Sequence, residues 1–553
     1  MFTILLLATT ATNFEISLHL HPTATFDTLD ALFWKVSTPG SQSYLNFYRT
    51  PAELAPLFGG SSAAVSEATD YLKSLNGTGI RVSALRDRVT ATFDNAVAAN
   101  KHAWSARGLP LRPKPAGVHL VTRREDNLIA PSFPPHHHVG ESPRASYTVA
   151  NQKKAYKIPS DHAATNPSSL QMVWGPGTFG YSPRGLEQFR DEQCPGINTD
   201  KVHFDTTHHG QEGGDNFGEG TLDTHMISAF GMNVSTLVSN TNTSISTEEG
   251  DGFGLAFLDF VTDLASRDVV PHVLSLSLGS LSAYSCDMLC AEAVKTGEVT
   301  LSDCNAFLQK QRQVCMFISQ AQVERINLGL MALGVRGVSV LGSSGDGGSH
   351  WSFGEFHGFG KIPRLLNKIG CEFQFPIFPS PSPYMISVGG TEWKPRPFQP
   401  YHPVMWEGFG GGSGGGFAWQ FKRPDHQAEA VDHYLSTTSG LPPSSSFNAT
   451  GRGYPDISAI AVDGTSQSSP VFAGIFSLIM DYRLNKGLKP LGPLGPRIYK
   501  VAKSFPGEAF EDVTEGNSKT SCDNGFPAAK GWDPTTGWGR PVWPGLVKHF
   551  GED

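Results

Sequence analysis

The sequence has no apolar run of the ~18–20 residues that a membrane-spanning helix requires, so we expect no membrane span. It is also poor in charge: charged residues make up 17% of the chain, and the formal net charge is −8. Because no basic surface is apparent, we expect no nucleic-acid partner. The hydrophobic fraction of 39% over 553 residues instead predicts a folded protein with more than one core.

Cysteine is scarce, and none of the seven cysteines has the paired C-x-x-C spacing of a zinc site. Four of them lie close together in one stretch, at Cys286, Cys290, Cys304 and Cys315. This clustering favours disulfide bonds over metal binding, and disulfides are typical of the secretory route. The odd count leaves at least one thiol unpaired.

Two weaker features also favour a secreted or a lysosomal or vacuolar protein. Residues 1–11 contain a short apolar run without a preceding basic residue, which resembles a short or truncated signal segment. An incomplete N-terminus or an additional strand is an equally open interpretation of this run. Potential N-glycosylation sequons occur at Asn76, Asn233, Asn242 and Asn448.

Residues 12–125 have the pattern of a small α+β domain. Apolar and polar residues alternate over residues 14–21, which predicts a half-buried strand. Helical patterns follow near 29–36 and 63–75, and further strand patterns lie near 80–85 and 117–122. Residues 126–147 are rich in Pro, Ser and His without periodicity, which predicts an exposed linker.

Residues 148–553 have a different pattern, in which buried strands alternate with helices. Strands are predicted at Val269–Leu278 and Val335–Leu341, and helices at Ala321–Leu333 and Val471–Arg483. Strands joined by helical crossovers indicate a parallel sheet and therefore an α/β domain. Active sites of open parallel sheets lie at the carboxyl ends of the strands.

Ser466 stands where a glycine-containing turn enters an apolar helix. A helix N-terminus carries a partial positive charge that stabilises a developing alkoxide, which suits a nucleophilic serine. We expect Pro470 to lie in the first helical turn, where its missing N–H is not needed. By itself this pattern is equally typical of a helix capped by serine.

Two acidic motifs add to the serine. Glu219 and Asp223 are spaced i,i+4, so on a helix their carboxyl groups lie on one face, where like charges repel. A pair that shares a proton has separated pKa values, which suits a general base and a partner that orients it. Asp346 follows a predicted strand in a glycine-rich loop, where it could enter a cleft or cap a turn.

In their order and combination these motifs resemble the sedolisin family of serine-carboxyl peptidases, and within it the tripeptidyl-peptidase I branch. The resemblance covers almost the whole chain. It includes five further segments, at 378–391, 413–417, 453–457, 512–514 and 530–534. It implies a subtilisin-like parallel-sheet catalytic domain over 148–553, preceded by a ferredoxin-like α+β prodomain over 12–125.

The resemblance assigns a role to each candidate residue. Ser466 would be the nucleophile, Glu219 the general base and Asp223 the partner that holds Glu219. Asp346 would donate a hydrogen bond to the oxyanion, which it can do only when protonated, whereas the base must be ionised. Both states coexist in acid, so we expect an acid-acting peptidase. The segment Ser277–Gly279 would pair with the substrate backbone.

The resemblance also implies a calcium site near the C-terminus. Its ligands would be the carboxylates of Asp512 and Asp533 and the backbone carbonyls of Val513, Ala529 and Gly531. Oxygen ligands are those that a hard cation requires. Glycine is usual in the family where Ala529 stands, but only the carbonyl at this position is used.

Three further expectations come from the same resemblance. Residues 283–322 are longer than the family pattern and should form a disulfide-tied surface insertion. Cys371 and Cys522 should form a disulfide, which leaves Cys194 unpaired. The partners expected are peptide or unfolded protein substrates and the chain's own prodomain as an intramolecular inhibitor, with the protein a monomer.

Three alternatives remain open. A subtilisin-type peptidase would use a histidine base, for which His208 or His209 is available, but it would usually carry Asn rather than Asp346. A catalytically impaired homologue is possible because nine residues separate Asp456 from Ser466, fewer than the family usually has. The sequence also does not distinguish release of N-terminal tripeptides from cleavage within chains.

Overall fold

The computed structural model describes residues 13–94, 104–105, 109–125, 147–205, 218–241, 245–246, 253–310, 315, 319–350, 360–396, 399–408, 411–520 and 522–552. The predicted signal segment 1–11 and residues 126–146 of the predicted linker lie outside these ranges, as do His208, His209 and Asn242. Tyr147, the last residue of the predicted linker, is half-buried. Its ring stacks on Trp393 at a centroid distance of 4.1 Å, and its hydroxyl donates to the Trp393 carbonyl.

The N-terminal domain is an antiparallel sheet with helices packed on it. Its elements are β1 Asn13–Leu20, α1 Phe26–Ser37, α2 Pro51–Phe58, α3 Ser62–Ser74, β2 Thr78–Val82, β3 Arg88–Asp94 and β4 Val118–Glu125. The strand order is β2-β3-β1-β4, which is the order of a ferredoxin-like fold, as predicted. The alternation that predicted β1 holds, since Phe14, Ile16 and Leu18 are fully buried.

Side-chain caps fix where two of these helices begin. The Thr25 hydroxyl accepts a hydrogen bond from the Thr28 N–H at the start of α1. At α2, Thr50 and Glu53 form a capping box, and Pro51 occupies the first turn, where no N–H is needed. Each cap pairs backbone N–H groups that a helix leaves without an internal partner.

The remaining chain forms an α/β domain with further short strands. Up to the middle of the sheet its elements are α4 Val149–Ala155, β5 Leu170–Pro176, α5 Pro183–Gln193, β6 Val202–Asp205, α6 Gly218–Phe230, β7 Ser235–Thr241, β8 Ile245–Ser246, α7 Phe253–Ala265, β9 Val273–Leu276, β10 Ser280–Leu281, α8 Ala283–Lys295, α9 Leu301–Leu308, α10 Gln320–Val335 and β11 Ser339–Ser343. The later elements are α11 Lys361–Glu372, β12 Ile377–Phe378, β13 Ile386–Arg396, β14 Gln399–Met405, β15 Gly416–Lys422, α12 Ala428–Thr437, β16 Gly451–Tyr454, β17 Ile457–Ile460, α13 Thr465–Asn485, α14 Gly495–Ser504, β18 Phe510–Glu511, β19 Arg540–Pro541 and α15 Trp543–Phe550.

The central sheet of this domain has eight strands in the order β14-β13-β11-β9-β5-β7-β6, with β17 also paired to β13. All its pairings are parallel except that of β13 with β14. Successive residues of β9 enter different cores, because Val273 packs on the side of α6 and α13, whereas Leu274 packs on the side of α7 and α10. The predicted parallel-sheet α/β domain is thus confirmed.

The predicted disulfides are also confirmed. Cys286 pairs with Cys315 and Cys290 with Cys304, which ties α8 and α9 to the chain that follows them. A third disulfide joins Cys371 to Cys522, and Cys194 is a free, buried thiol. Among the described residues, no helix is both long enough and apolar enough to cross a bilayer.

The N-terminal domain is held against the α/β domain by a sheet extension and by buried ion pairs. Strand β8 of the larger domain pairs with β4 and so continues the N-terminal sheet. Asp259 on α7 accepts hydrogen bonds from Arg88 at 2.5 Å and from Arg124 at 3.0 Å. Asp87 forms a buried ion pair with Arg325 on α10. Protonating these carboxyl groups in acid would remove the ion pairs.

Candidate active site

Three elements carry the four candidate catalytic residues. Glu219 is the second residue of α6, and Asp223 lies one turn further on the same face, as the i,i+4 spacing predicted. Ser466 is the second residue of α13. Asp346 lies in the loop after β11, at the carboxyl edge of the parallel sheet. The structure therefore brings all four to the edge where the sequence predicted an active site.

Glu219 and Ser466 are joined by a side-chain hydrogen bond. Burial raises the pKa of Glu219 to about 7, the charge of Asp346 raises it further, and the bond from Ser466 opposes this rise. Oε1 of Glu219 is buried and has no hydrogen-bond partner among the described residues. A carboxylate in contact with a serine hydroxyl, with a pKa near neutrality, is suited to take the proton of that hydroxyl.

Asp223 lies behind Glu219 and is completely buried. Its Oδ1 accepts a hydrogen bond from the Ser277 hydroxyl at 2.9 Å. Burial raises its pKa well above the usual value and the Glu219 charge adds to this, whereas the Ser277 bond lowers it. Because both pKa values are raised, the two carboxyl groups hold protons that isolated carboxyl groups would release, and they titrate as a pair.

The start of α13 differs from the prediction at Pro470. The helix begins at Thr465, so Pro470 is its sixth residue rather than a member of the first turn. Without an N–H, Pro470 cannot bond to the carbonyl of Ser466 four residues earlier. The Ser277 hydroxyl lies 3.2 Å from this carbonyl oxygen, and the Ser466 hydroxyl lies 3.3 Å from the Ser277 carbonyl oxygen.

A tight turn leads into this helix, and it brings Asp346 beside Ser466. Gly464 has φ +87°, and a Cβ there would lie 2.7 Å from Asp346 Oδ2, so the position requires glycine. Oδ1 of Asp346 accepts hydrogen bonds from both the N–H and the hydroxyl of Thr465. A proton carried by Asp346 therefore belongs on Oδ2.

The short segment before Ser466 still closes correctly around the site. Strand β17 ends at Ile460, and the N–H of Gly464 donates to the carbonyl of Ala461 at 3.1 Å to form the turn. The turn leads directly into α13, where Ser466 meets Glu219. The nine residues after Asp456 are therefore enough to place the serine hydroxyl beside the carboxyl pair.

Sequence reasoning missed two contributors to this site. It proposed Ser277 for its backbone, but the hydroxyl of Ser277 contacts Asp223. It gave Thr465 no role, although Thr465 orients Asp346. Serine and threonine are common in any sequence, so residue type carries no signal here, and only the fold shows which hydroxyl meets which carboxyl.

The five predicted calcium ligands also lie together. The Ala529 N–H donates to Asp533 Oδ2 at 3.0 Å, and the Gly531 N–H donates to Asp512 Oδ2 at 2.8 Å, while Val513 follows Asp512 directly. Asp533 is fully buried, and burial raises its pKa to about 7.

The donor chemistry of this cluster fits a hard cation. Asp512 Oδ1 is buried without a hydrogen-bond partner among the described residues, and burial raises the pKa of Asp512. None of the ion pairs found in the described parts of the chain neutralises Asp512 or Asp533. Those parts also contain no group of three His, Cys, Asp or Glu side chains suited to a metal, so a cation here would need backbone carbonyls as well.

The fold and the site together define an α/β protein with a serine–carboxyl site and an N-terminal ferredoxin-like domain. Residues 6–100 match the family model described as Pro-kumamolisin, activation domain. Tripeptidyl-peptidase 1 of Canis lupus familiaris is 35% identical over 361 residues, which cover 61% of this chain and 53% of that protein. The Homo sapiens protein of the same name is 34% identical over 360 residues, with the same two coverages. The chain thus spans about half the length of these curated relatives.

A solved structure of Pseudomonas sedolisin, described as a serine-carboxyl proteinase complexed with two molecules of pseudo-iodotyrostatin, is 21% identical with a TM-score of 0.49. It covers 72% of this chain, and 98% of that chain is matched. The sequence matches agree with the family recognised from the motifs. The chain belongs to the sedolisin family, in its tripeptidyl-peptidase 1-like branch.

Proposed function

We propose that this protein is a serine-type peptidase that works in acid and hydrolyses peptide bonds through an acyl-enzyme. The observation that carries the proposal is the hydrogen bond between Ser466 and Glu219, with the buried carboxyl group of Asp223 behind it. A serine cap would need no buried carboxyl pair, and such a pair is costly to bury without a function.

The reaction follows from the positions of the side chains. As Ser466 Oγ bonds to the substrate carbonyl carbon, its proton passes to Glu219, and protonated Asp346 donates a hydrogen bond to the developing oxyanion. The C–N bond then breaks, and the proton on Glu219 passes to the leaving amine. Water attacks the resulting ester, gives its proton to Glu219, and the carboxylic acid product and the free Ser466 hydroxyl are formed.

The N-terminal domain would act as the intramolecular inhibitor, with peptides or unfolded proteins as substrates. The match of residues 6–100 to an activation domain supports this role, as do the ion pairs between the two domains. A protein that works in acid, with three disulfides, fits an extracellular or a lysosomal or vacuolar location.

The product of the reaction is the finer part of the proposal. We favour release of tripeptides from free N-termini, because the curated relatives are named for this activity. Cleavage within chains is the alternative. A catalytically impaired homologue is a second candidate, and the observation that favours it is the short segment between Asp456 and Ser466.

A calcium ion would be held by the carboxylates of Asp512 and Asp533 and the carbonyls of Val513, Ala529 and Gly531. When bound, it would neutralise two buried carboxylates and tie two loops together. The unpartnered Oδ1 of Asp512 supports this part of the proposal.

Acid incubation of the purified chain, followed by mass spectrometry of the chain and of an added peptide, tests the function. We expect cleavage between Arg123 and Lys157 and stepwise loss of tripeptides from the peptide, with neither event in Ser466→Ala. Internal fragments of the peptide would identify an endopeptidase. An intact chain and an intact peptide at every pH would support the impaired homologue.

A further inference from the structure

Ser277 contacts both ends of the catalytic group through different atoms. It lies directly after β9, at the carboxyl edge of the sheet, and its side chain is 5% exposed. Its hydroxyl lies 2.9 Å from Asp223 Oδ1 and 3.2 Å from the backbone oxygen of Ser466. Its carbonyl accepts a hydrogen bond from the Ser466 hydroxyl at 3.3 Å.

The second of these contacts depends on Pro470. An ordinary residue at this position of α13 would donate its N–H to the Ser466 carbonyl, and proline cannot. The Ser466 carbonyl therefore needs another donor, and the Ser277 hydroxyl lies within reach. A hydroxyl has one hydrogen to donate but can also accept, so its two neighbours compete for that hydrogen.

We propose that Ser277 is a positioning residue that holds Asp223 and the nucleophile in place in both protonation states of the carboxyl pair. The inference rests on the proposed peptidase function. When Asp223 is ionised, the Ser277 hydroxyl donates to its Oδ1. When Asp223 is protonated, it donates to Ser277 Oγ, whose own hydrogen turns to the Ser466 carbonyl.

The charged surroundings of Asp223 give this arrangement a measurable sign. Glu219 on the same helix acts on Asp223, and Asp346, from the loop after β11, acts on Glu219. His225 stacks on Phe189 of α5, and burial lowers its pKa to about 4, which keeps it neutral near neutral pH. Strand β9 and helix α13 present uncharged hydroxyl groups to Asp223.

Loss of the Ser277 hydroxyl should therefore make the carboxyl pair hold its proton to a higher pH. The bond from Ser277 lowers the pKa of Asp223, so its removal raises that pKa. Because the pair must carry a negative charge to act as a base, the acid limb of the activity profile should move to higher pH. The alkaline limb should stay in place, since Asp346 is bonded to Thr465 rather than to Ser277.

The chain offers a matched control two residues earlier. Ser275 lies on the same face of β9, is fully buried, and its hydroxyl lies 2.9 Å from that of Ser469 on α13. Ser275→Ala therefore removes one buried hydroxyl between the same strand and the same helix. It leaves the Asp223 contact intact.

The experiment compares wild type, Ser277→Ala, Ser277→Thr and Ser275→Ala after acid processing, with kcat/KM for a peptide measured across pH. We expect Ser277→Ala to be roughly tenfold slower at its optimum, with an acid limb about half a pH unit or more above that of wild type. Ser277→Thr, which keeps the hydroxyl, should restore the wild-type limb, and Ser275→Ala should not move it.

Melting temperatures of the same variants across pH provide a second readout that needs no activity. A raised pKa of Asp223 destabilises the folded chain only where the wild-type carboxyl would ionise. The melting temperature of Ser277→Ala should therefore fall below that of Ser275→Ala by a margin that widens as pH rises. A wild type without activity would overturn the peptidase function and leave this melting test to decide the role of Ser277. A margin that is constant with pH, or an unmoved acid limb in an active Ser277→Ala, would overturn the positioning role.

Discussion

Thr465 donates two hydrogen bonds to a single oxygen of Asp346. Its N–H and its hydroxyl each lie 2.7 Å from Oδ1. The hydroxyl of Thr465 also accepts a hydrogen bond from the N–H of Gly345 at 3.1 Å. With Oδ1 saturated as an acceptor, Oδ2 remains as the atom that can carry the proton for an oxyanion.

Replacing Asp346 by Asn tests this assignment. An amide N–H donates at any pH, so Asp346→Asn should lower the maximal rate, because geometry and acidity both change, and extend the remaining activity toward neutral pH. The measurement is the pH profile of peptide hydrolysis, with far-UV circular dichroism at each pH to confirm that the chain is folded. An alkaline limb that stays where it is in a folded Asp346→Asn would mean that another group confines activity to acid.

A second prediction concerns stability and requires no substrate. Burial raises the pKa of Glu219 to about 7, above its value in the unfolded chain. A carboxyl whose folded pKa is raised stabilises the folded state fully below the unfolded pKa, and this contribution is lost as pH rises through the folded pKa. Glu219→Gln cannot ionise, so its melting temperature should gain on that of wild type between about pH 4.5 and pH 7.

The control for this comparison is a carboxyl group on the surface. Glu292 pairs with Lys295 at the exposed end of α8, and Glu292→Gln should leave the pH dependence of the melting temperature unchanged. Parallel curves for wild type and Glu219→Gln would show that Glu219 is not buried in the way described.

The third prediction concerns calcium. A cation that binds only the folded state stabilises it by mass action, so a chelator should lower the melting temperature of wild type. Asp533→Ala should lower it further and make the curve insensitive to added calcium. Asp432→Asn, which alters an exposed partner of Arg423, serves as the control and should keep the response to calcium. A wild-type melting curve that is identical in chelator and in calcium would exclude the site.

The fourth prediction concerns the ion pairs between the two domains. Asp259 accepts hydrogen bonds from Arg88 and Arg124, so Asp259→Asn removes a charge that faces two guanidinium groups. The N-terminal domain should then be held less tightly, and self-cleavage should begin at a higher pH than in wild type. Gel analysis of the precursor after incubation at graded pH measures this onset. An onset equal to that of wild type would show that these ion pairs do not hold the domain in place.

Much of this arrangement could be predicted, because it depends on local patterns. The spacing of Glu219 and Asp223 needs only a helix to bring two carboxyl groups onto one face. Helix α2 was missed because it is short and contains Pro56, so its periodicity is weak. The calcium ligands were predictable only by resemblance, since Asp512 and Asp533 are far apart in sequence and no local pattern joins them.

The contacts that could not be predicted are those between hydroxyl and carboxyl groups of distant segments. Ser277 meets Asp223 across a sequence separation of 54 residues, and nothing in either segment specifies the pairing. The expected position of Pro470 was wrong for a related reason. Gly464 and Thr465 start the helix earlier than the first-turn preference of proline suggests, because Thr465 is held by Asp346.

The central claim is that Glu219, rather than a histidine, takes the proton of Ser466. The measurement that tests it most directly is the rate of peptide hydrolysis in acid by wild type, Ser466→Ala, Glu219→Gln and His209→Ala. The account predicts no hydrolysis by Ser466→Ala, a loss of at least ~10² in rate for Glu219→Gln, and a rate near that of wild type for His209→Ala. Near-full activity of Glu219→Gln, together with an inactive His209→Ala, would contradict it and favour a histidine base.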